Sequence, residues 1–85
     1  MDEVRVFGDF IVADPKICHG QLTFRGTRVF VSDVLEQVAD GIPWDEIVAE
    51  WRGTVSLNAI AEAVSLARAA LLEREQSSRR EALAG

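Results

Sequence analysis

The chain has 85 residues, 48% of them hydrophobic and 27% charged, with a formal net charge of -5. That length allows one domain, and the apolar content is that of a folded core instead of a disordered chain. Asp2, Glu3, Arg5 and Asp9 break any apolar leader, uncharged runs fall short of the roughly 18 residues of a membrane span, and one cysteine cannot form an internal disulfide, so a cytoplasmic protein without membrane attachment is expected.

Val4, Val6, Phe10 and Val12 alternate around a Gly8-Asp9 break, which reads as two short strands and a turn. Asp14-Pro15 stops the second strand, because the residue before proline stays extended and aspartate favours turns. Gln21 to Phe24 is a further extended run that ends at Arg25-Gly26-Thr27-Arg28, and Val29-Phe30-Val31 continues extended toward a helix.

Ser32 is the expected N-cap of the first helix, with Asp33 in its first turn, Val34, Leu35 and Val38 as its apolar stripe and Gly41 as its stop. A second helix begins near Pro43, turns Ile47, Val48 and Trp51 inward and ends at Gly53. Ser56 caps the third and longest helix, whose stripe is read as Leu57, Ile60, Val64, Ala67 and Leu71. Residues 73–85 are polar with no core face, so they are read as a tail that extends the helix or frays, with pairs such as Glu75–Arg79. The fold class expected is mostly α: a helix-turn-helix core of three helices behind a short N-terminal β segment, with a domain over residues 1–72 and a tail over 73–85.

Charge is unevenly spread. Residues 32–72 set Arg52 and Arg68 against seven carboxylates and hold the whole net charge, whereas each flank sums to zero. Phosphate contact should therefore come from the ends of the chain and not from the broad helical middle.

The second helix, the turn Arg52 to Val55 and the capped third helix have helix-turn-helix spacing, which also serves helices that merely pack a core. In the DNA reading, Asn58, Glu62 and Ser65 face outward; Asn58 suits an adenine edge, while Glu62 would repel phosphate. Gly26 lets the backbone turn tightly between Arg25 and Arg28, whose guanidinium groups suit bidentate capture of phosphate or carboxylate. The competing reading is that these arginines tie down the β region by pairing with Asp14 or the acidic helices. Cys18 and His19, adjacent in an extended segment, would point to opposite sides, which suits neither a nucleophile–base pair nor chelation. Asp45, Glu46 and Glu50 read as a solvated face. No phosphate loop, nucleophile elbow or dinucleotide fingerprint occurs, so neither an enzyme nor a cofactor is expected.

The run Ile11 to Gly20, followed by Phe24-Arg25-Gly26-Thr27-Arg28-Val29, resembles the small bacterial domain-of-unknown-function family numbered four-three-three. The stretches Val34 to Gly41, Asp45 to Ile47 and Ser56-Leu57 fall at that family's spacing. The chain departs from the pattern at His19, where glycine is usual, and at Leu22 and Phe30, where proline is common. Pro43 and Trp44 likewise replace a serine and a proline. The resemblance implies a homeodomain-like helical core, operator DNA binding, and an antitoxin role beside a PIN-type ribonuclease toxin.

On these grounds the chain is expected to be a dimeric type II antitoxin. Arg25, Thr27 and Arg28 would meet phosphates and Asn58 the bases, while Arg74, Arg79 and Arg80 would reach the toxin's metal-binding carboxylates. Short exposed strands such as Val4–Phe7 invite pairing between chains. The alternatives are a stand-alone transcriptional regulator and a protein-binding adaptor, the second favoured by the acidic middle.

Overall fold

A computed structural model describes the backbone from Glu3 to Ala84 and the side chains as far as Arg79. The alternating front of the chain forms β1 (Arg5–Val6), β2 (Ile11–Ala13) and β3 (Leu22–Phe24), an antiparallel sheet in that order. Arg5 stands opposite Ala13 and Val6 opposite Val12, while Ile11 faces Phe24 across β2 and β3. Ile11 and Phe24 share the sheet face that meets the helices, and both are buried.

Asp14 ends β2 as its position before proline requires; its carboxylate accepts the Lys16 N–H at 2.9 Å and its carbonyl that of Ile17 at 2.9 Å. The next residues depart from the extended segment expected at Cys18 and His19. They form a 3-10 turn over Cys18–Gly20, with Cys18 at φ 51 and His19 at φ 59. The turn is closed by Gln21 N–H donating to the Cys18 carbonyl at 3.2 Å.

Helix α1 spans Val31–Ala39, and its N-cap is Phe30, with no side-chain cap bond. Ser32, the expected cap, therefore lies inside the first turn. The sheet decides this start: an antiparallel bridge between Thr23 and Phe30 holds Phe30 extended, and the next residue, Val31, is already buried in the core. The helix ends at Gly41 as expected, with Gly41 N–H donating to Val38 and Ile42 N–H to Gln37.

Helix α2 spans Trp44–Glu50, with Asp45 and Glu46 in its first turn. Its terminus differs from the expected glycine stop. Arg52 N–H donates to Ala49 and Gly53 N–H to Val48, so Arg52, at φ 55, takes the left-handed position one residue before the glycine. A short relay then ties α2 to α1: the Trp51 indole donates to Gln37 at 2.8 Å, and the Gln37 amide donates to Glu50 at 2.9 Å.

Helix α3 spans Leu57–Ala84, which at 1.5 Å per residue is about 42 Å. Ser56 caps it as expected, its hydroxyl accepting the Ala59 N–H at 3.1 Å. The buried side of α3 is Ala59, Ile60 and Ala63, with Val64 and Leu66 packed at its margin. The expected stripe was too long at both ends: Leu57 is 52% exposed and Leu71 68%. Small side chains at positions 59 and 63 let the helix axis approach the body closely, and the body that α3 crosses ends after about three turns. Beyond Leu66 the helix continues without interruption through residue 73, and every side chain from Ala67 to Arg79 is exposed. The core these elements enclose is Ile11, Phe24, Val31, Val34, Ile47, Val55, Ala59, Ile60 and Ala63.

A side chain in the left-handed region costs roughly 1–2 kcal/mol, less the chain entropy that glycine gives up. Arg52→Gly is therefore expected to stabilise the fold by about 0.5–1 kcal/mol. The check is urea unfolding, where the midpoint should rise without a change in slope.

Candidate nucleic-acid interface

The loop after β3 is organised by its own hydrogen bonds. Phe24 N–H donates to Val29 at 3.1 Å and Thr27 N–H to Phe24 at 3.0 Å, while Gly26 takes φ 77 between the two arginines. The Thr27 hydroxyl donates to the Phe24 carbonyl at 2.8 Å and accepts the Val29 N–H at 3.0 Å. A hydroxyl has one proton, and this one is committed, so Thr27 shapes the loop instead of offering the phosphate donor expected of it. Arg25 and Arg28 are both exposed. Among the described residues neither forms an ion pair, with Asp14 or with the acidic helices, and the salt bridge present is Arg79 to Glu75. Their side chains are free to meet an anion.

The same loop is anchored to the first hairpin, because Arg25 N–H donates to the Phe10 carbonyl at 2.7 Å. Phe10 in turn meets α3. Glu62, expected to face outward, turns inward: its carboxylate accepts the Asp9 N–H at 3.1 Å and the Phe10 N–H at 3.0 Å. Gly8 makes room for it. A Cβ built at Gly8 would fall on Glu62 Oε1, and its backbone, at φ 146, is one that side chains rarely adopt. Gly8, Glu62 and the two N–H groups thus form a clamp between the β1–β2 turn and the second turn of α3. Sequence reasoning missed this role, since nothing local connects groups 53 residues apart.

The clamp links the helix that carries Asn58 to the hairpin that anchors the Arg25–Arg28 loop. Asn58 lies one turn before Glu62 on α3, exposed, and the Arg25–Arg28 loop is joined to the same hairpin. With Glu62 turned away, the exposed residues on the first three turns of α3 include Asn58 and Ser65, with Arg68 just beyond them. Charge is segregated around them. Residues 31–50 carry Asp33, Glu36, Asp40, Asp45, Glu46 and Glu50, all exposed, and no lysine or arginine. Arg25, Arg28, Arg52 and Arg68 are outside that stretch and exposed.

The residues expected to reach a toxin sit on the bare half of α3. Arg74 is exposed, and Arg79 pairs with Glu75 at 3.3 Å, the intrahelical pair expected from the spacing. Arg80 is helical, but its side chain lies outside the described residues. Beside this half of the helix runs a groove of about 410 Å³ lined by Phe7, Leu22, Val31, Leu35, Leu66 and Ala70, with Glu73 its one charged wall. Such a lining suits apolar protein contact better than a polar ligand. Among the described residues no group of His, Cys, Asp and Glu could hold a metal ion, and Cys18 is a free, half-buried thiol. No described helix is long and apolar enough to cross a membrane.

The class these features define is a small domain of three helices packed on a three-stranded antiparallel sheet, with an exposed basic loop and a helix that outruns its core. The chain belongs to the family described as protein of unknown function (DUF433), whose model matches residues 11–67. The match begins at the first residue of β2 and ends where the side chains of α3 become exposed. No curated protein and no solved structure matches the chain. At His19, where the resemblance led us to expect glycine, the backbone has φ 59, the left-handed region that glycine adopts at no cost.

Removing the Glu62 carboxylate leaves two N–H groups, one exposed and one half-buried, so Glu62→Ala is expected to cost about 1–2 kcal/mol. Gly8→Ala should cost a similar amount in the native background and clearly less when Glu62 is already alanine. A double-mutant cycle by urea unfolding measures this coupling, and additive effects would separate the two residues.

Proposed function

We propose that this chain is a dimeric, cytoplasmic type II antitoxin that binds operator DNA through a homeodomain-like helix-turn-helix and neutralises a PIN-type ribonuclease toxin. The observation that carries the reading is the division of α3. Its first three turns are built into the body through Ala59, Ile60 and Ala63, and they carry Asn58 exposed. Its remaining described turns are bare, with Leu71 and Leu72 exposed at 68% and 40%. A domain that only had to fold would gain nothing from that extension, whereas a domain with two partners uses both halves.

In this reading α2, the turn from Trp51 to Ser56 and α3 make the helix-turn-helix. Arg25 and Arg28 neutralise phosphates, Asn58 approaches base edges, and Glu62 leaves the surface because the hairpin N–H groups hold it. The bare half of α3 presents Arg74 and Arg79, with Arg80 next in sequence, to the clustered carboxylates of the toxin, where a guanidinium can pair bidentately. The acidic face of α1 and α2 supports a second reading, a protein-binding adaptor for a basic partner. A stand-alone regulator is the form the protein takes if operator binding occurs and no toxin does.

Arg25→Ala and Arg28→Ala are each expected to weaken DNA binding and to reduce the log–log salt slope by about 0.9. Mobility shifts over a salt series, on variants that retain the native melt, check this; unchanged affinity and slope would favour the adaptor. Co-expression with the neighbouring open reading frame, followed by pull-down, tests the toxin arm. A chain ending at Leu72 is expected to fold and bind DNA but to lose most inhibition of the nuclease. Full inhibition by that chain would move the toxin contact to the helical body.

A further inference from the structure

Strand β1 is the edge of the sheet, and the residues around it carry a pattern that matches itself. Phe7 N–H donates to the Ile11 carbonyl at 2.8 Å, and the register makes these two residues directly opposite. In an antiparallel pair such bonded positions alternate, so Arg5 and Phe7 turn their peptide groups toward β2. Val6 turns its groups to the open edge, the same alternation carried one residue past the start of the strand gives Val4 the same phase, and among the described residues nothing pairs with either on that side. Their side chains are exposed at 49% and 58%. The other face of the strand carries Arg5 and, just past its end, Phe7, with the Arg5 guanidinium 5.3 Å from the Phe7 ring centre; continuing the alternation back past Arg5 puts Glu3 on that face.

We propose that this edge pairs with the same edge of a second copy, antiparallel about a two-fold axis through Val4, to make one six-stranded sheet. The register follows from charge and hydrogen-bond phase together. With Val4 opposite Val4, the two outward peptide groups exchange both hydrogen bonds. Glu3 then stands opposite Arg5 of the other copy, twice, at the closely spaced positions where side chains approach most. Moving each chain by one residue sets Arg5 against Arg5, a like-charge pair that costs stability. The two-fold arrangement also places Val4 of one copy beside Val4 of the other on a single face, covering β-branched side chains that are otherwise in water. A closed pairing of this kind removes the open edge, which would otherwise invite uncontrolled association. This inference names the interface of the dimer in the functional reading above, but it needs neither DNA nor toxin.

The test is sedimentation equilibrium of the full chain across micromolar concentrations, without nucleic acid. The wild type should be dimeric. Glu3→Arg and Arg5→Glu should each weaken the dimer by roughly tenfold, since each turns two attractive pairs into repulsive ones. Mixing the two variants should restore a dimer, because every cross-pair then has opposite signs. Val4→Pro removes only an outward donor, so it should weaken association while the melt of the monomer is retained. A monomeric wild type, single variants that dimerise like wild type, a mixture that stays dissociated, or a Val4→Pro chain with native association would each overturn the proposal. Loss of operator binding in a chain that still dimerises through this edge would count against the DNA reading alone.

Discussion

The Glu62 carboxylate on the turn between β1 and β2 is the contact around which the molecule is arranged. It satisfies the N–H groups of Asp9 and Phe10, and it fits only because Gly8 has no side chain. Phe10 passes the connection on through its carbonyl to Arg25, so helix, hairpin and basic loop form one continuous set of hydrogen bonds. A charge-assisted bond from a carboxylate is stronger than a neutral one, and this carboxylate makes two. The sheet itself is slight, with strands of two or three residues, and strands that short are not stable alone. Packing of Ile11 and Phe24 against Ile60 and Val34 holds one face, and Glu62 fixes how the hairpin sits on the helix.

That arrangement also governs the surface. An acid that would have faced solvent beside Asn58 is withdrawn, while the acids of α1 and α2 stay exposed on other elements. The net charge of -5 is therefore a poor guide to local potential, because the field at a site depends on which charges face it. Arg25 and Arg28 remain unpaired because the loop that carries them is held by backbone bonds and by the Thr27 hydroxyl, which leaves their side chains with no structural duty.

The third helix joins two different environments in one rigid element. Up to Leu66 it is a core helix whose alanines permit close packing; from Ala67 to Arg79 every side chain is exposed, with the apolar groove beside its first turns. The family match ends at the same place, so what the family shares is the body, and the extension is outside the matched span. A core helix that continues past its core transmits position well, since the helical hydrogen bonds run unbroken through the boundary. The proposal of one partner on the body and another on the extension rests on that division.

Local pattern by itself determined the short strands ahead of three helices and the order of those helices, the cap at Ser56, the stop at Gly41 and the pair Glu75–Arg79, because each depends on residues a few positions apart. It placed the inward residues of α1 and α2 correctly, where the apolar period is clear. It misjudged the start of α1, the end of α2, the turn at Cys18 and His19, and the length of the buried stripe on α3. In each case a contact distant in sequence, or a backbone state a side chain only tolerates, outweighed local preference: the Thr23–Phe30 bridge for α1, the left-handed Arg52 for α2 and the short reach of the body for α3. The tertiary structure alone decided the role of Glu62, since a carboxylate at an outward helical position carries no local sign of a glycine and two N–H groups that chain folding will bring against it.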